Sequence, residues 1–162
     1  MGLFGKLFGK EESGIITAPV SGKLVSIKEV NDPTFSEEIL GKGVAIIPSD
    51  NQICAPATGT VTTVFPTGHA AALTTDDGAE ILIHIGLDTV KLDGKHFTIH
   101  VSEGQKVSKG DLLLEADLEQ IKAEGYDTIT PIIICNSDNF SVISPADFQD
   151  VKQGEKVLTL RK

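Results

Sequence analysis

Two histidines, His69 and His84, stand on either side of an Asp76-Asp77-Gly78 turn. An imidazole can act as nucleophile, proton carrier or metal ligand near neutral pH, so a convergent pair on a rigid scaffold is the feature of this chain most suited to chemistry. The flanking residues fix how the pair is held. Ile81, Ile83, Ile85 and Leu87 alternate with Glu80, Leu82, His84 and Gly86. That period of two predicts a strand with one aliphatic face and His84 on the other. Asp-Gly favours a tight hairpin, because the turn needs positive φ. A two-residue loop at Asp76-Asp77 sets His69 directly opposite His84, and one at Asp77-Gly78 makes the two diagonal neighbours. A three-residue loop sends them to opposite faces, since one residue of slip inverts every side chain. Gly86, on the His84 face, is expected to leave room for another molecule.

The run Gly78-Ala-Glu-Ile-Leu-Ile-His84-Ile-Gly86-Leu-Asp-Thr89-Val90 resembles the phosphorylation-site signature of the glucose-specific enzyme IIA family. These are phosphocarriers of the bacterial sugar phosphotransferase system, and the similarity extends from about Ile15 to Lys162. It implies that His84 takes the phosphoryl group through Nε2 and that His69 stabilises it. Thr67 matches the threonine that orients the second ring. Phe35, Leu40, Phe65 and Val90 match an apolar docking face, with Asp32 and Asp88 meeting basic groups on partners. Thr34 and the Ala71-Ala72 pair depart from residues common in relatives and bear on partner preference. The implied partners are the histidine phosphocarrier protein, the IIB domain of a glucose-type permease that receives the phosphate on a cysteine, and regulatory targets. No cofactor is required by this resemblance. Zinc is expected only at a partner interface, shared by His69 and His84.

Two other classes stay open on the residues themselves. A zinc hydrolase would need a third ligand beside His69 and His84, for which Asp88 is the nearest candidate. A purely regulatory binding protein would use the phosphorylatable site as a switch.

The elements that must position the pair read as all-β. Sixteen glycines, seven prolines, one Tyr and no Trp in 162 residues suit many turns and short strands. Strand-like runs are Lys23–Val30, Val44–Ile47, Thr60–Phe65, Phe97–Val101, Leu112–Ala116, Thr128–Cys135 and Val157–Leu160. Thr34–Leu40 reads as a short irregular or helical piece, and Asp117 as the cap of one helix, Leu118–Ala123. Ala18-Pro-Val-Ser-Gly22 is echoed 37 residues later by Ala55-Pro-Ala-Thr-Gly59, and Val101–Val107 is echoed 50 residues later by Val151–Val157. The unequal offsets exclude a fixed-period solenoid. The expected fold is therefore a compact antiparallel β-sandwich or barrel with pseudo-symmetric turns and one or two short helices. Lipoyl-type carrier domains use similar turns, but no lysine stands alone at a hairpin tip here.

Residues 15–162 are expected to form a single phosphocarrier domain, and a monomer. Residues 1–14 differ: Leu3, Phe4, Leu7 and Phe8 share a helical face with Lys6 and Lys10 nearby, which suits an anionic membrane surface. Gly2, Gly5 and Gly9 oppose that helix, and a frayed tail is the other reading. A net charge of −9 argues against nucleic acid and suits basic protein partners. Cys54 and Cys135 are too few for a disulfide framework and are expected to be buried. His96 and His100 read as surface or structural. With no secretory signal and no span of about 20 apolar residues, the expected compartment is the cytoplasm.

Overall fold

In the computed structural model the described residues are 14–162; of the expected tail, residues 1–14, all but Gly14 therefore lie outside them. The first half supplies β1 (Ile15–Thr17), β2 (Gly22–Ser26), β3 (Lys42–Pro48), β4 (Gln52–Cys54), β5 (Gly59–Val64), β6 (Ala70–Thr75) and β7 (Glu80–His84). The second half supplies β8 (Phe97–Ile99), β9 (Lys106–Val107), β10 (Leu112–Ala116), β11 (Thr130–Ile134), β12 (Val142–Pro145), β13 (Asp150–Val151) and β14 (Lys156–Arg161). Two short helices, α1 (Pro33–Ser36) and α2 (Leu118–Ala123), complete the regular structure apart from single 3₁₀ turns. The sheets are antiparallel, as the sequence predicts.

The largest sheet runs β13-β2-β3-β11-β7-β6-β5-β9, and two three-stranded sheets run β1-β14-β12 and β4-β10-β8. All three contribute to one core, where Ile16, Leu158, Ile53, Leu114, Ile46 and Ile81 meet. Continuous Ile132-Ile133-Ile134 on β11 is explained by its two covered faces. Ile132 and Ile134 join the main core, while Ile133 joins a second cluster with Val25, Ile27, Val30, Phe35, Leu87 and Ile129. That second cluster lies on the face of the large sheet that carries His84.

The order of the large sheet reads the same from both ends as a pseudo-twofold arrangement, with β13 matched to β9, β2 to β5, β3 to β6 and β11 to β7. Register supports the match: Gly22 pairs with Val151 as Gly59 pairs with Val107. Thr17 N–H reaches Pro56 O at 2.9 Å, and its mate Cys54 N–H reaches Pro19 O at 2.8 Å. The first echo is thus a true structural repeat. The second is corrected: the mate of 151–157 is 107–113, because Gly154 N–H bonds Ala18 O and Gly110 N–H bonds Ala55 O, at 3.0 and 2.8 Å. Val101–Val107 carries a third copy of the same turn, and its sequence is the better look-alike.

The hairpin between the histidines is also corrected. Ala70 pairs with His84 and Thr74 with Glu80, which leaves Asp76-Asp77-Gly78 as a three-residue loop. Gly78 N–H returns to Thr75 O at 2.9 Å, and Gly78 takes φ of 92°. This is a type I turn closed by a left-handed glycine, a geometry that Asp-Gly serves as well as the two-residue loop. The expected separation of the histidines does not follow. The alternation rule holds inside a ladder, whereas His69 precedes β6 and His84 is the last residue of β7.

Other boundaries differ for local reasons. The expected strand Lys23–Val30 stops at Ser26, whose hydroxyl accepts from Lys28 N–H at 3.2 Å and caps a 3₁₀ turn. The strand through His84 ends there instead of reaching Leu87, because Gly86 turns with φ of 80°. Cys54 is buried as expected, but Cys135 is exposed just past the end of β11. The first residues of the described chain pair with the last, Ile15 with Thr159, and Gly14 N–H reaches Asp77 Oδ2 at 3.2 Å. Both ends therefore sit at the hairpin tip, the far end of β6 and β7 from the histidines.

Candidate functional site

His84 is placed by β7, whose Ile81 and Ile83 anchor it in the main core. Its Nδ1–H donates to the Gly86 carbonyl at 2.7 Å. A carbonyl can only accept, so the proton sits on Nδ1 and the Nε2 lone pair is free. His69 is placed by its own backbone, since Ile85 N–H donates to His69 O at 2.7 Å. Its Nδ1 lies 2.6 Å from Thr67 Oγ1. When that hydroxyl donates to Nδ1, the imidazole carries its proton on Nε2 and can donate there.

The two rings meet edge to face with centroids 5.1 Å apart. Phe35 lies 5.1 Å from His84 and Phe65 lies 5.2 Å from His69, so four rings form one row. His69 is 3% exposed. Burial first, and then repulsion from His84, lowers its pKa to about 4. Burial also lowers the His84 pKa, against the Gly86 carbonyl, Asp32 and Asp88, which each favour the charged ring. Both imidazoles are thereby held neutral, and His84 offers a nucleophile.

The expected docking residues divide. Leu40, Phe65 and Val90 are exposed, and so is Ile39, which the sequence reading missed. Ile39 could have been found as the aliphatic neighbour of Leu40 in Ile39-Leu40-Gly41, beside acidic Glu37-Glu38. Phe35 is corrected: at 4% exposure it packs beneath His84 in the second cluster and offers no free face. Asp32 is half-buried; its Oδ1 accepts from Thr34 N–H at 3.0 Å and caps α1, where Pro33 needs no partner for its missing N–H. Asp88 is exposed with φ of 60°, at the start of a 3₁₀ turn, Thr89–Leu92.

Gly86 does not open the face to another molecule. A Cβ there would lie 2.7 Å from Asp127 O and 2.7 Å from Thr89 Cγ2, so the chain itself fills the space. Among the described residues no three His, Cys, Asp or Glu side chains converge as a metal site, which leaves the hydrolase reading without its third ligand. His96 pairs with Glu124, and the exposed His100 lies 3.8 Å from Glu115, in keeping with the surface or structural roles expected of them.

Comparison with known proteins adds the family. Residues 14–140 match the family model described as phosphoenolpyruvate-dependent sugar phosphotransferase system, EIIA 1. The chain is 50% identical over 146 residues to the PTS system beta-glucoside-specific EIIBCA component of Bacillus subtilis (strain 168), covering 90% of this chain and 24% of that protein. It thus spans about a quarter of the length of that relative. It is 42% identical to the PTS system glucose-specific EIIA component of Halalkalibacterium halodurans, covering 99% of this chain and 98% of that one. Among solved structures, glucose permease IIA from Mycoplasma capricolum matches with a TM-score of 0.84 and 40% identity, over 89% of this chain and 93% of the other.

Proposed function

This chain belongs to the EIIA 1 family of the phosphoenolpyruvate-dependent sugar phosphotransferase system, and from that membership we propose that it relays phosphoryl groups through a phosphohistidine at His84. The observation that carries the reading is the bond from His84 Nδ1–H to the Gly86 carbonyl at 2.7 Å, which leaves Nε2 unprotonated beside the His69 ring.

The transfer follows from that geometry. The Nε2 lone pair attacks phosphorus on the histidine phosphocarrier protein; a P–N bond forms as the donor's P–N bond breaks, its electron pair returning to the donor imidazole. The His84 ring keeps its Nδ1 proton on the Gly86 carbonyl, which steadies the positive charge it acquires. His69, held by Thr67, donates through Nε2–H to the dianionic phosphoryl oxygens. In the second step a cysteine sulfur of the permease IIB domain attacks, and the pair returns to His84. Exposed Leu40, Phe65 and Val90 suit close docking of both partners, with Asp88 facing their basic groups. Relatives named EIIBCA support a IIB partner. Their names specify beta-glucoside where another specifies glucose, which supports sugar choice by the permease. The protein is read as working in the cytoplasm, without a resident metal, on residues 15–162 as one domain; among the described residues no helix is long and apolar enough to cross a membrane.

The test separates the histidines. With labelled phosphoenolpyruvate and the upstream carriers, His84→Ala is expected to take no label. His69→Gln is expected to accept label but pass it on about a hundredfold more slowly, the usual cost of one transition-state donor. Label on His69, or label surviving in His84→Ala, would reverse the assignment.

A further inference from the structure

Thr89 is a polar side chain with no exposure, five residues past the end of β7, and the transfer gives it no task. Its hydroxyl donates to the Ile85 carbonyl at 2.6 Å. Its methyl faces Gly86, where a Cβ would come within 2.7 Å of it. The Ile85-Gly86 peptide is thus gripped from one side by Thr89. From the other side, Gly86 N–H reaches Ile129 O at 3.1 Å and Leu87 N–H reaches Asp127 O at 3.0 Å. The carbonyl of Gly86 is the group that accepts from His84 Nδ1. Ile85 N–H, in the same short stretch, donates to His69 O at 2.7 Å, so both histidines hang on these two residues.

We propose that Thr89 is a positioning residue for the phosphoryl transfer assigned above: its hydroxyl and methyl lock the Ile85-Gly86 turn so that the Gly86 carbonyl is held against His84 Nδ1, fixing the tautomer that exposes Nε2. The inference rests on His84 being the carrier for its functional consequence, but its structural content stands apart from that. A threonine hydroxyl bonded to the carbonyl four residues back is normally a local convenience of a helix. Here Thr89 opens a 3₁₀ turn of four residues, and the carbonyl it engages lies before that turn, buried with Ile85. An imidazole takes the tautomer its better hydrogen bond selects. If the turn relaxes, the Gly86 carbonyl drifts from Nδ1 and the Nε2–H form gains population. That form has no lone pair at the attacking position.

The experiment uses the full chain, unphosphorylated, with ¹⁵N-labelled histidine. Wild type should show His84 with its proton on Nδ1. Thr89→Val keeps the shape and loses the hydroxyl; it should raise the Nε2–H population of His84 and slow phosphoryl uptake about tenfold in kcat, with KM for the phosphocarrier little changed. Thr89→Ser retains the hydroxyl and should restore the tautomer and most of the rate. Circular dichroism and thermal melting establish that each variant is folded, and the tautomer of any variant that melts early is read below its transition. A folded Thr89→Val with the wild-type tautomer would overturn the proposal. So would a Thr89→Ser that shifts the tautomer as far as Thr89→Val does. If phosphate proves to lie on another residue while the tautomer still responds to Thr89→Val, the positioning stands and the carrier assignment is what fails.

Discussion

A nucleophilic imidazole has to stay uncharged until it reacts, and each histidine here reaches that state by burial, His69 at a pKa of about 4 and His84 below its usual value. The consequence for stability has a definite sign. Between the ordinary value of 6.5 and about 4, the unfolded chain binds a proton at this position and the folded one does not. Stability is therefore undiminished above that window, falls as pH drops through it and levels off below. Urea midpoints at several pH values from 7.5 downward should show this fall in wild type, and His69→Gln should flatten it; parallel slopes would show that another group governs the acid loss. At this scale the sequence was informative about chemistry and silent about support. The two histidines stand out by type and spacing, whereas Thr67 reads on its own as an ordinary strand threonine and was singled out only through the family resemblance, whose signature also includes Thr89. That Phe35 lies beneath His84 was not legible, because an aromatic within so short a helix reads equally as docking face or core. Cys135 was misjudged for a similar reason: one step past the buried run Ile132–Ile134, it lies outside the ladder that buries its neighbours.

The elements that hold the site depend on two glycines for different reasons. Gly86 combines φ of 80° with crowding by Asp127 and Thr89, whereas Gly78 at the hairpin tip has φ of 92° but only Lys162 Nζ near it, at 4.0 Å. Gly78→Ala should cost about 1 kcal/mol, the strain of a left-handed alanine alone. Gly86→Ala should cost about 3 kcal/mol and impair phosphoryl uptake, since the chain must also move. Urea unfolding of both variants checks the contrast, and equal losses would mean that the crowding around Gly86 relaxes without cost. Secondary structure was legible where it was long or capped. Leu112–Ala116 and the helix Leu118–Ala123 lie where pattern and the Asp117 cap put them, with Asp117 Oδ1 accepting from Gln120 N–H at 3.2 Å. The strands β4, β9, β12 and β13 were not, since two to four residues are too few to display a period of two. The hairpin register was left open between two- and three-residue loops because Asp-Gly fits more than one loop length.

The described residues as a whole form a repeated scaffold with the histidine pair in one half. The pairing of Ile132 with Ile83 puts Ile133 of β11 at the place that His84 holds on β7, and Ile133 is buried in the second cluster. The repeat was half legible. Ala-Pro followed by a turn identified β2 and β5, but three copies of Val-x-x-Gly competed for the second match, and only hydrogen bonding chose between them. Residues 1–14 raise a separate expectation from their Leu3, Phe4, Leu7 and Phe8 stripe. Removing them should leave phosphoryl uptake unchanged and reduce transfer to a permease in intact vesicles; equal transfer with and without them would remove the membrane role. The meeting of Gly14 with Asp77 and of Ile15 with Thr159 bears on how such a carrier can be mounted. Six residues of β6 separate that end from the histidines, an arm of about 20 Å at strand rise. A leash joined at Gly14 or at β14 would pivot the body about one corner and swing the two histidines around it at the length of that arm. On the phosphocarrier reading proposed above, donor and acceptor could then be visited in turn without the leash passing between them and His84.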